Sequence, residues 1–267
     1  MTRLTERRNS RAGTLIHGDR RMNARSLMVR ARYRLRTAIS HIPSIYLRLA
    51  DLRRRDNDGA KIVTAATDLV VEAFPRSGNT FTVTALQNSQ PQRLNIAHHL
   101  HAPAQLIEAV RLRKPALLII RRPKDAVLSF VLRHPSIPVA QGLKSWLHFH
   151  NALLPYTAGM LVVTFDQVTS DLGAVVDRIN ARFGMSLSRL EHTPLYVDTL
   201  FRKIEMRSRE LLGREDIDER EVSRPSSERT VLKASLEKHW QTMELRLHAE
   251  VAECLYEKLA LLSTNPS

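Results

Sequence analysis

Leu69-Val70-Val71-Glu72-Ala73-Phe74-Pro75-Arg76-Ser77-Gly78-Asn79-Thr80-Phe81 is the stretch whose reading decides the fold. Its first six residues form an apolar run of strand length, rich in β-branched side chains. The residues from Thr80 onward, Thr-Phe-Thr-Val-Thr-Ala-Leu, suit a helix that opens with Asn79 or Thr80 near its N-cap. A strand, a turn of small residues and a helix start together make an anion cradle. Backbone N–H groups and the helix dipole converge on the turn, and Arg76 adds a full charge. The glycine content is too low for a Walker A loop, and no Gly-Lys-Ser/Thr follows.

The same grammar returns at Leu117-Leu118-Ile119-Ile120-Arg121-Arg122-Pro123-Lys124-Asp125-Ala126-Val127-Leu128-Ser129-Phe130. Four apolar residues give a buried strand, Pro123 sets the turn, and helical spacing continues through Val131. Arg121 falls at the carboxyl end of its strand, where open α/β sheets place their ligands. Ser129, about two turns into the helix, can face back toward it. A guanidinium fork with a hydroxyl suits a second phosphate. Asp125 reads as a residue that caps and positions the turn.

These two stretches resemble the signature motifs of the PAPS-dependent sulfotransferases. Phe74 to Phe81 is similar to their 5′-phosphosulfate loop, usually Tyr-Pro-Lys-Ser-Gly-Thr-Thr-Trp. Arg121 to Ser129 is similar to their 3′-phosphate motif, Arg-x-x-x-Asp-x-x-x-Ser, and the resemblance runs from about residue 68 to the C-terminus. It implies a P-loop-type, three-layer α/β fold with a mainly parallel central sheet flanked by helices. It also implies transfer of a sulfuryl group from PAPS to a hydroxyl or amine, with PAP as product and no metal. Carried over by position, Arg76, Ser77, Gly78, Asn79, Thr80 and Phe81 hold the 5′ end of the nucleotide, and Arg121 and Ser129 the 3′-phosphate. Arg76 stands where the family has Lys; it can stabilise the leaving oxygen but does not readily yield a proton. Arg224 and Ser226, in Ser223-Arg224-Pro225-Ser226-Ser227-Glu228-Arg229, resemble a late basic loop that closes on the 3′-phosphate. Phe165 replaces the family's Tyr beside the adenine, keeping a ring and losing a hydroxyl.

A general base is expected in His98-His99-Leu100-His101-Ala102-Pro103. His101-Ala102-Pro103 resembles the family's His-x-Pro, and His99 is the runner-up by its interval to Arg121. If the strand persists past residue 100, His99 and His101 share a face and His98 points away. A metal reading of this run fails for lack of ligand spacing, with His148 and His150 adding imidazoles but no recognisable ligand pattern.

The 267 residues carry a formal net charge of +14, and residues 1–55 hold fifteen Arg against Glu6, Asp19 and Asp51, a surplus of twelve. High pI is thus a property of the N-terminal arm, residues 1–60, and residues 61–267 form the α/β domain. Residues 1–24 read as disordered. From about Ala24 to Arg55 a basic amphipathic helix is expected, with Leu35, Ile39, Ile42, Tyr46 and Leu49 on one stripe and Pro43 kinking or splitting it. It suits packing on the domain with solvated arginines, or an anionic membrane surface; nucleic acid and organelle targeting are weaker readings. Cys254 is the only cysteine, so no intrachain disulfide forms. No apolar run reaches membrane-spanning length, so a cytoplasmic protein, peripheral to a membrane if the arm binds one, is the expectation. Other readings are a P-loop nucleotide-dependent kinase and a non-catalytic scaffold with a basic arm. The acceptor, whether small molecule, glycan or lipid, has no signature; helices around Trp146 and the C-terminal segment are expected to shape its site.

Overall fold

The computed structural model describes residues 24–53, 60–213, 218, 220, 227–240 and 242–264. Residues 1–23, the linker at 56–59, and Arg224 and Ser226 lie outside the described residues.

The core is a four-stranded, all-parallel sheet of β1 (Leu69–Ala73), β2 (Ile96–His98), β3 (Ala116–Ile120) and β4 (Leu161–Thr164), in the order β2-β1-β3-β4. Register is set by apolar pairing, Val71 opposite both His98 and Leu117, and Leu118 opposite Val162. Alternation along each strand supplies both faces. Val70, Leu118, Ile120 and Val162 pack one way, against α4 (Pro103–Arg111), α5 (Pro123–Arg133), α6 (Val139–Leu153) and α11 (Met243–Leu262). Val71, Leu117, Ile119 and Val163 pack the other way, against α3 (Asn79–Ser89), α8 (Leu172–Phe183) and α9 (Pro194–Leu212). The fold is therefore three-layered α/β. The chain passes from β1 to β2 on one side, then crosses back to β3 on the other. The tips of β1 and β3 are thus a switch point, the place where such sheets open a crevice.

The arm forms two helices, α1 (Ala24–Ile39) and α2 (Pro43–Arg53), with Pro43 as the first residue of the second. Both pack on the domain. Arg30 Nε donates to Ser136 O at 2.7 Å, and Tyr33 stacks on Phe130 with ring centroids 5.4 Å apart. Tyr46, 7% exposed, joins Leu100, Ala102 and Ala104 in a small cluster, and its hydroxyl accepts from Arg36 Nε at 2.8 Å. Leu35, expected on the inward stripe, is 66% exposed, because Tyr33 and Thr37 take the inward face of α1. Among the described residues no helix is long and apolar enough to cross a membrane.

Strand β2 is only three residues long. It ends at His98, because His99 and His101 take left-handed backbone angles, φ 64° and 50°. Strand β4 likewise stops at Thr164, whose side chain caps a short helix α7 (Phe165–Ser170) that begins on Phe165.

Docking of the arm has a direct test. Tyr46→Ala removes a buried ring and one of the two acceptors of Arg36, and is expected to cost about 3 kcal/mol of unfolding free energy. Leu35→Ala, on the exposed face, stays within about 0.5 kcal/mol of the parent. Equal urea midpoints for the two variants would contradict the docking.

Candidate active site

Beyond the tips of β1 and β3 lies a cavity of about 860 Å³. Its walls come from the turn after β1, the turn after β2, α1, α5, α9 and α10 (Ser227–Trp240). Among the described lining residues there are seven Arg and Lys and no Asp or Glu.

Gly78, not Asn79 or Thr80, is the N-cap of α3. It sits at φ 92°, where a side chain is strained, and an added Cβ would lie 3.2 Å from the Phe165 ring. No side chain caps α3, so its first N–H groups remain available to an anion. Arg76 is also left-handed, at φ 69°, a strained setting for a non-glycine residue. Its Nε donates to Ser129 Oγ at 3.2 Å. Arg121 Nη1 donates to the carbonyl of Arg76 at 2.7 Å, and its guanidinium lies over Phe165, 4.0 Å from the ring centroid. The two sequence motifs are thus joined, loop to loop, at one cavity. Burial, reinforced by Arg229, Arg133 and Arg121, pushes the Arg76 pKa down to about 9.

Not every candidate faces this space. Gly78, Asn79, Thr80, Phe81, Arg121 and Ser129 line it. Ser77 does not; its hydroxyl is fully buried without a hydrogen-bond partner. Arg229, passed over in the sequence, lines the site, while Arg224 and Ser226 lie outside the described residues. It is 6% exposed, and its Nη2 donates to Ser129 Oγ at 3.1 Å. Its position three residues beyond Ser226, on the first turn of α10, was the available signal. Trp146 itself is fully buried on α6 and lines no part of the cavity, but its helix reaches the cavity through Ser145 and Phe149.

The histidine run is held by Glu72, a fully buried carboxyl in the middle of β1. It accepts from the backbone N–H of Leu100 at 2.7 Å and of His101 at 3.0 Å, and from Gln105 Nε2 at 3.1 Å. Burial pushes its pKa up to about 8, against the opposing pull of those N–H donors. A lone carboxylate within an apolar strand was the sequence signal for this residue, and it was read only as part of the strand.

Histidines 99 and 101 do not share a strand face, since the strand has ended. Both line the cavity nonetheless, and so does His98, which was expected to point away. His98 Nδ1 lies 2.6 Å from His99 Nδ1, and His99 Nε2 is 3.0 Å from Thr80 Oγ1, so both ring nitrogens of His99 are engaged. His101 Nδ1 is 2.9 Å from the carbonyl of Ala73. A carbonyl only accepts, so Nδ1 of His101 carries the proton and Nε2 keeps the lone pair. Burial holds His101 down to about 4, and holds His99 well below the ordinary imidazole value. Both are neutral at pH 7. Among the described residues no group of three or more His, Cys, Asp or Glu could hold a metal ion.

No protein-family profile matches the chain, and no curated protein sequence matches it. Among solved structures, the mouse sulfotransferase SULT7A1, crystallised with PAP, aligns over 74% of this chain and 90% of its own, at 12% identity and a TM-score of 0.40.

The buried ionisable groups set opposite pH slopes. His98, His101 and His150 are each lowered from 6.5 to about 4, so the unfolded chain takes up protons that the folded one refuses, and stability falls as pH drops from 6.5 toward 4. Glu72 is raised from 4.5 to about 8, so its contribution falls as pH rises across that interval. Four histidines, the depressed His99 included, outweigh one carboxyl below pH 6.5. Urea midpoints should therefore climb between pH 4.5 and 6.5 and decline gently from 6.5 to 8. A midpoint still climbing above 6.5 would contradict the raised Glu72.

Proposed function

We propose that this protein is a PAPS-dependent sulfotransferase. The observation that carries the reading is the joined pair of turns. Arg121 donates to the Arg76 carbonyl and Arg76 to Ser129, so residues from motifs 45 positions apart meet at one cavity rather than facing separate ones. One nucleotide with phosphates at both its 3′ and 5′ ends fits two such corners. The free N–H groups of α3, with Asn79 and Thr80, would take the 5′-phosphosulfate; Arg121, Ser129 and Arg229 would take the 3′-phosphate. Phe81 and Phe165 offer rings for the adenine.

In this reading the acceptor oxygen attacks the sulfur in line, the new S–O bond forms, and the bond from sulfur to the bridging 5′-phosphate oxygen breaks. The electron pair leaves on that oxygen of PAP, where the Arg76 charge stabilises it. The acceptor's proton goes to His101 Nε2, the imidazole nitrogen left with a lone pair by the Ala73 contact. His99, tied to Thr80 and His98, would orient the loop hydroxyl. A neutral imidazole in a cationic pocket accepts a proton reluctantly, so its basicity should rise once the anionic donor is bound. The acceptor and the cytoplasmic setting remain part of this reading only.

Calorimetry with PAP tests it. The parent protein should bind PAP, and Arg121→Ala, which loses a charge-assisted contact, should bind about 10- to 100-fold more weakly. His101→Ala should leave PAP affinity intact and lower sulfation of extract acceptors from labelled PAPS by about 10²–10⁴-fold, with a smaller loss for His99→Ala. PAP affinity unchanged by Arg121→Ala would overturn the nucleotide assignment.

A further inference from the structure

The cavity holds more positive charge than the nucleotide corners use. Two arginines stand apart from those corners, on opposite faces of the sheet. Arg207 lies on α9, exposed at the cavity rim beside the stripe formed by Val197, Phe201, Ile204, Ser208 and Leu211, and it lines the cavity with them. Its charge is close enough to His98 and His99 to help depress both. Arg36 comes from α1. Its Nη2 donates to the carbonyl of Leu100, between the two cavity histidines, at 2.8 Å, and its Nε to Tyr46 Oη at 2.8 Å. Both acceptors are neutral, so no carboxylate balances this guanidinium. Neither arginine faces an acidic side chain among the described lining residues.

Cations gathered in a concave space repel each other, and an anion that enters relieves that repulsion. A bisphosphorylated donor completes Arg76, Arg121 and Arg229. It leaves Arg207 and Arg36 beside the histidine run, where the acceptor must approach. We propose that the acceptor is itself an anion: a hydroxyl compound carrying a carboxylate or phosphate group, bound by Arg207 and Arg36 with its hydroxyl at the histidines. Guanidinium forks match either group in a two-point contact, and Phe149 and Phe201 supply an apolar wall for the body that joins it to the hydroxyl. This rests on the sulfotransferase reading and adds to it a criterion for choosing acceptors.

Equilibrium binding to the full-length, PAP-saturated protein tests the proposal without requiring turnover. The probes are two matched pairs, 4-hydroxybenzoate against 4-hydroxybenzamide and 4-hydroxyphenyl phosphate against hydroquinone. Each anion is expected to bind about tenfold or more tightly than its neutral partner, with the gap narrowing at high salt. Arg207→Gln, on an exposed position of α9, should close most of the gap while PAP affinity stays within about twofold of the parent, which also reports that the variant is folded. Equal affinities within both pairs, no binding of either anion at millimolar concentration, or a gap untouched by Arg207→Gln would overturn the inference. If PAP itself does not bind the parent protein, the sulfotransferase reading falls, and this inference with it. If PAP binds and the anion preference is missing, only this inference falls.

Discussion

A single carboxyl, that of Glu72, ties the site to the sheet. Its oxygens take hydrogen bonds from the loop after β2, through Leu100 and His101, and from α4, through Gln105, while Asn79 at the start of α3 lies 3.5 Å away. Burying such a group is costly unless its partners are supplied, and here every partner is an N–H donor. The reverse also holds: without Glu72, two backbone N–H groups of the loop would be left unsatisfied, at about 1–3 kcal/mol each. That exchange explains how the loop can keep His99 and His101 in left-handed conformations, which cost about 1–3 kcal/mol apiece. The next residue of β1 continues the work, since the Ala73 carbonyl fixes the tautomer of His101. A strand side chain and the adjacent strand carbonyl thus specify where the proposed base sits and which nitrogen it offers.

What could be read in the sequence follows from what is local. Strand, turn and helix at Leu69–Thr84 and at Leu117–Val131 were legible because apolar run, proline and helical spacing lie within one window. The histidine loop was not, because the two-residue period assumes extended backbone, and the residue that ends the extension is 28 positions upstream. Arg229 was missed for the same reason. It reaches Ser129 across 100 residues of sequence, while Arg224 and Ser226 drew attention by pattern alone. Treating residues 1–60 as an appendage also missed that α1 lines the cavity through Tyr33, Arg36, Thr37 and Ser40. Local hydrophobic period shows that a helix has two faces, but not that its polar face meets a site.

Arg76 shows how the crowding of cations bears on residue choice. Burial, reinforced by three neighbouring guanidiniums, pushes its pKa down to about 9, which still leaves it charged at pH 7. A lysine begins with a lower proton affinity, and the same burial and cations would weaken its hold on the proton further. The sequence motif that this loop resembles carries Lys, in a pocket whose other charges need not be these. Here Arg121, Arg133 and Arg229 bear on the position, so a group proposed to present positive charge to a leaving oxygen is better served by a higher intrinsic proton affinity. The Arg that departs from the motif suits those local electrostatics. In the proposed reaction it would also separate the tasks: Arg76 would stabilise charge and move no proton, leaving proton transfer to the imidazoles that Glu72 positions.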